Sequence, residues 1–131
     1  MKYIYSAVFS SSKDSAKVYA RVPDLPGCIT TGKDLQDAIE QISDAAAGWL
    51  VVAEDEGIPI SPATPQEELA HEPGDVFSLI QVDTIAYRSQ TDTRAVRKNV
   101  SLPAWMSDLA ERRGINCSAV LQEGLLAKFS S

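Results

Sequence analysis

With 131 residues the chain is long enough for one ordinary domain or two small ones. Its 44% apolar content is that of a globular protein rather than a disordered one. No apolar run approaches the ~20 residues that span a bilayer, and the first residues alternate apolar with polar as a strand does, unlike a secretory signal. A cytoplasmic protein that makes no membrane contact is therefore expected, with its two distant cysteines, Cys28 and Cys117, reduced. The net charge of −6 is unevenly spread. Residues 1–87 hold 5 Lys/Arg against 14 Asp/Glu, and residues 88–131 hold 7 against 4. That asymmetry points to two modules, an acidic one suited to a basic partner and a basic one suited to phosphates.

In chain order, residues 3–10 read as a strand, rich in aromatic and β-branched side chains. Polar residues Ser11 to Ser15, Asp14 among them, make a turn, and residues 16–22 return as the second strand of a hairpin. Pro23 and Pro26 stiffen the next loop, and Gly27 permits a positive φ. Residues 28–31 give a third strand. Asp34 is a good N-cap and Asp37 a first-turn carboxylate, so a helix is predicted from Leu35 to Glu56. Its buried stripe should hold Leu35, Ala38, Ile39, Ile42, Ala46, Trp49 and Ala53, and Gly57 should stop it. Residues 58–74 carry four prolines and read as a loop with one helical turn at 66–70. Residues 76–82 are a fourth strand. The helix is expected to cover one face of the resulting sheet and leave the other available. Arg88 to Thr93, all polar, is the best linker candidate, dividing a module at 1–88 from one at 94–131.

The second module reads as one short strand and two short helices. Pro103 suits the first helical turn, Gly114 ends the first helix, and Asn116 caps the second. A lone strand cannot hold itself in water, and the most economical partner is the same strand of a second copy. That is the logic of a ribbon-helix-helix dimer, whose two-stranded ribbon enters the DNA major groove. Val96, Val100 and Leu102 share a parity and should face the helices, which turns Arg97, Asn99 and Ser101 outward together. Arg can fork onto guanine and Asn onto adenine. Lys98 breaks the apolar parity and should snorkel to the rim, towards a phosphate, and Arg94 can add a backbone contact. Trp105, Met106, Leu109 and Ala110 are expected in the core, as are Val120, Leu121, Leu125 and Phe129.

The segment PDLPGCITTGKDLQDAIEQISDAAAGWL, with its Pro-x-apolar-Pro-Gly-Cys loop before a capped helix, resembles the signature of the HicB antitoxin family. The segment KNVSLPAWMSDLAERRGINCSAVLQEGLLAKF resembles the ribbon-helix-helix domain that many members append, in the same order. The resemblance implies an α+β protein: a β-β-β-α-β partial RNase H-like module, then a ribbon-helix-helix dimerisation and DNA-binding domain. It further implies a type II toxin–antitoxin role, neutralising a small basic RNA-cleaving toxin of the HicA type and repressing the protein's own operon at an inverted-repeat operator, as a homodimer or higher even oligomer. In such domains the N-terminus of the second helix clamps a phosphate, which here would engage Asn116, Cys117 and Ser118.

No enzyme activity and no cofactor or metal are expected. An RNase H-type site needs several carboxylates on two metal ions, one of them in the first strand, and residues 3–10 contain none. Asp34, Asp37, Glu40 and Asp44 fall broadly on one exposed helix face. Glu40 and Asp44, with Asp37 and the loop Asp24–Leu25–Pro26, are the candidate toxin contacts. The competing function is a stand-alone ribbon-helix-helix regulator with an N-terminal ligand-sensing domain, although no ligand constellation is evident.

Overall fold

The computed structural model describes residues 1–12 and 16–130. The turn expected over Ser11–Ser15 lies partly outside them, and Asp14 with it. The chain divides into two compact units, Lys2–Asp92 and the segment from Thr93 onward.

The first unit is built on a four-stranded antiparallel sheet in the order β3-β2-β1-β4. Its strands are β1 (Lys2–Ser11), β2 (Val18–Arg21), β3 (Ile29–Gly32) and β4 (Val76–Asp83). β1 is central, pairing Tyr5 with Ile80 on one side and Phe9 with Ala20 on the other. Directly paired residues share a face. Tyr5, Ala7, Phe9, Ala20, Ile80 and Val82 therefore form one apolar surface, and all are buried.

Helix α1 (Leu35–Glu56) lies on that surface. Its start is set by a reciprocal hydrogen-bond pair: the Asp37 amide donates to Asp34 Oδ1 at 2.8 Å, and Asp37 Oδ2 accepts from the Lys33 amide at 2.9 Å. Gly57 closes it in the left-handed conformation, φ 69°. Ala38, Ile42, Ala46, Ala47, Leu50 and Ala53 are buried, while Ile39 and Trp49 pack at the margin. Leu35 departs from expectation and is exposed, because it sits in the first turn, ahead of the stripe that begins at Ala38. Four of the six buried residues are alanines, so the helix backbone rides close to the sheet. At Gly32 the approach is closest: a Cβ there would lie 2.3 Å from the Ala38 nitrogen, so β3 can enter α1 only through glycine.

Two features of this unit correct the sequence reading. First, the opposite face of the sheet is only partly open. Ser6 and Val8 point away from α1 yet are buried. The loop between α1 and β4 folds over the Val8 end of this face: Leu69 is buried, Arg21 Nη2 donates to the Ala70 carbonyl at 3.0 Å, and the His71 ring packs edge-on against Phe77 at 4.9 Å. Within that loop the expected helical turn is a short 3-10 segment, Gln66–Glu68. Second, residues 88–91 are not linker. They complete a helix, α2 (Thr84–Thr91), capped by Asp83, whose carboxylate accepts from the Ile85 and Ala86 amides.

The second unit contains α3 (Ala104–Arg112) and α4 (Cys117–Phe129), with Gly114 at φ 63° turning the chain between them. Pro103 stands at the N-cap of α3, one position earlier than a first-turn residue. Residues 93–103 form no regular element in the single chain.

Candidate functional site

In the second unit, the side chains expected in a core are on the surface. Trp105 is 65% exposed, Met106 40% and Val120 54%, and none of the described residues 93–130 is buried. The physical reason is size. Helices of nine and thirteen residues cannot enclose a core between them. They form instead an open apolar groove of about 380 Å³, with Val100, Leu102, Met106, Leu109, Val120 and Leu121 along its walls.

Arg97, Lys98, Asn99 and Ser101 lie in the irregular segment before α3, all exposed, as is Arg94. The alternation predicted from a strand is not realised in the single chain, since Val96 is 86% exposed like its neighbours. Asn116 has the expected capping role, its side-chain oxygen accepting from the Ala119 amide at 3.1 Å. Cys117 and Ser118 occupy the exposed first turn behind it.

In the first unit the candidate toxin contacts separate into two groups. Asp24 is engaged internally, Oδ2 accepting from the Thr64 amide at 2.9 Å and Oδ1 from the Thr64 hydroxyl at 2.5 Å. Leu25 is buried and belongs to the core, so it offers no side chain to a partner. Asp37 is half-buried and holds the start of α1. Pro26, Glu40 and Asp44 are exposed. Glu40 and Asp44 are one turn apart on α1. The Pro26 carbonyl accepts from the Trp49 indole at 2.9 Å, which pins the loop to the helix.

Beside that hydrogen bond lies a feature the sequence reading missed. Cys28, Ile29, Trp49, Val52 and Ile58 line a shallow groove of about 370 Å³ between the loop, the edge of the sheet and α1. Ile29 is 67% exposed, Val52 49% and Ile58 42%. The available signal was Val52, an apolar residue on α1 outside the buried stripe.

A polar cluster gathers on Arg88, which the sequence places in a linker and the structure in α2. Glu54 Oε2 accepts from the Tyr3 hydroxyl at 2.8 Å and the Thr84 hydroxyl at 3.1 Å. Arg88 Nη2 donates to Glu54 Oε1 at 3.1 Å and to Asp55 Oδ1 at 2.8 Å. Burial pushes the Glu54 carboxyl up, but the hydrogen bonds from Tyr3, Arg88 and Thr84 outweigh it and hold the group below its usual value. Burial and the Glu54 contact push Tyr3 up to about 12. The cluster ties β1, α1 and α2 together, and all its carboxylates are matched by donors. Among the described residues no three His, Cys, Asp or Glu side chains are gathered as metal ligands, and no helix is long and apolar enough to cross a membrane.

The family model of the HicB-like antitoxin of bacterial toxin–antitoxin systems matches residues 5–127. The chain belongs to the HicB-like antitoxin family. No curated protein matches it significantly. Among solved structures, the antitoxin HicB of Burkholderia pseudomallei is similar over 98% of this chain and 97% of its own, with 25% identity and a TM-score of 0.55. The N-terminal domain of the same antitoxin, solved alone, covers 61% of this chain and 98% of its own, at 25% identity and a TM-score of 0.51. A chain of a toxin–antitoxin complex from Streptococcus pneumoniae matches over 98% of this chain and 99% of its own, with 20% identity and a TM-score of 0.55, a likeness of fold. The mixed α/β architecture described above is thus that of HicB antitoxins.

Proposed function

We propose that this HicB-like antitoxin works through two separable surfaces. The acidic first unit binds and inhibits a small basic RNA-cleaving toxin of the HicA type. The second unit dimerises as a ribbon-helix-helix domain and represses the protein's own operon. Neither unit is an enzyme: β1 carries no carboxylate, and the acids of α1 act as caps, as partners of Arg88 or as solvated charge.

The observation that carries the reading is the state of the second unit. Apolar residues that should form a core are spread along an open groove, and residues 93–103 before them form no strand among the described residues. A second copy, pairing its 94–102 segment with this one, would supply both the missing strand and the missing core. Such pairing would restore the strand alternation and bring Arg97, Asn99 and Ser101 of both copies onto one outward face, with Lys98 and Arg94 towards the phosphates and the α4 N-terminus at Asn116, Cys117 and Ser118 on a phosphate. Two symmetric ribbons read an inverted repeat. The toxin reading rests on family membership and on the excess of carboxylates in residues 1–87. Its test is a search for a small basic reading frame beside this chain's gene and co-expression with its product: the two should co-purify, and the complex should lack the free partner's RNA-cleaving activity. A chain that neither binds nor silences that protein is not its antitoxin.

A further inference from the structure

The groove beside Trp49 is a recess of the acidic unit, partly apolar, that the fold leaves unfilled. The geometry points to it as the surface on which the basic partner docks, an inference that rests on the antitoxin reading above. Three observations meet there. The recess is preformed: the Trp49–Pro26 hydrogen bond fixes one wall, and Gly57, closing α1, places Ile58 at its end, where the Ile58 amide donates to the Ala53 carbonyl at 2.9 Å. Its walls are apolar and exposed at Ile29, Val52 and Ile58, a combination that costs solvation until another surface covers it. Its rim is acidic. Asp44 lies one turn before Gly48 of the groove floor and Glu56 one turn after Val52, so exposed carboxylates stand at both ends of the helical wall.

An apolar pocket bracketed by carboxylates matches one kind of partner surface: an apolar side chain flanked by Lys or Arg. The apolar insertion would supply most of the affinity, and the rim would steer encounter and suppress acidic competitors. The original loop candidates then act indirectly. Asp24 and Leu25 hold the loop in place, whereas Pro26 and Gly27 form its exposed border. The open patch on the opposite sheet face, at Ile4 and Leu79, is equally apolar, but the carboxylates that flank it along β4 are already engaged, Asp75 by the Glu72 amide and Asp83 by the Ile85 and Ala86 amides.

The test uses the full chain and the toxin that co-purifies with it, with affinity and association rate measured by surface plasmon resonance at fixed salt. Val52→Glu should weaken binding by roughly 30-fold or more. Glutamate is a good helix former at a half-exposed site, and its added negative charge would favour a basic partner that docked elsewhere, so loss of binding cannot be assigned to lost attraction. Asp44→Lys with Glu56→Lys, both on the surface, should slow association several-fold and flatten its salt dependence. Leu79→Glu should leave binding near wild type. Wild-type affinity in both groove variants would overturn the groove while leaving the antitoxin reading in place. Loss of binding in Leu79→Glu, with Val52→Glu unaffected, would move the site to the opposite face. A wild-type chain that forms no complex at all removes the antitoxin reading and this inference with it.

Discussion

Glu54 receives two hydroxyl hydrogen bonds and one guanidinium on a single carboxylate. Its folded pKa lies below its ordinary value, so the cluster stabilises the fold above the unfolded carboxylate pKa of about 4.3 and loses that contribution as pH falls through the lower folded value. Glu54→Gln should therefore reduce stability near neutral pH and flatten the acid limb of a stability-versus-pH curve measured by urea unfolding. A variant whose acid limb matches wild type would show that the cluster is not the acid-sensitive element. In the second unit the proposed DNA-reading residues, Arg97 and Asn99, are exposed. Arg97→Ala and Asn99→Ala should each cost about 1–3 kcal/mol at the operator in a mobility-shift titration at fixed salt. Non-specific binding should fall only with Arg97, which carries charge. Operator affinity unchanged in the double variant would mean that this segment does not read DNA.

Among the elements, α1 was the most legible from sequence, and its observed bounds are those predicted. Both ends carry chemical punctuation, Asp34 with Asp37 at one and Gly57 at the other, and twenty-two residues of helical period lie between. Its core contact is correspondingly strong. Leu50→Ala, at a fully buried site, should cost about 2–5 kcal/mol by chemical denaturation. α2 was illegible for the opposite reason. Its composition is polar, and its stability comes from tertiary partners: Asp83 at its cap, Tyr87 against Gly48 and Arg88 on Glu54 and Asp55. Arg88→Ala should accordingly raise amide exchange across Thr84–Thr91 and leave α1 protected. Equal protection in the variant would show that the helix holds by other contacts. The loop over Val8 and the groove beside Trp49 escaped notice because each depends on residues far apart in sequence, such as Arg21 with Ala70 or Ile29 with Val52. Local periodicity carries no information about such meetings.

At the level of the molecule, the two units differ in how complete they are alone. The first encloses a core of its own from Tyr5 to Val82. Among its described residues the second buries none by itself, as expected of a unit that completes its core by association. The full chain should therefore be at least a dimer by light scattering, and removing residues 93–131 should lower its oligomeric state. The charge division follows the same boundary: residues 1–92 hold 6 Lys/Arg against 15 Asp/Glu, and residues 93–131 hold 6 against 3. Silencing of a toxic basic partner should not depend on DNA reading. The most direct measurement is growth after induction of the neighbouring basic protein, alone and with this chain. Arrest is expected with the partner alone, and full recovery with either the wild-type chain or the Arg97→Ala, Asn99→Ala double variant. Continued arrest in the presence of the wild-type chain would contradict the antitoxin reading.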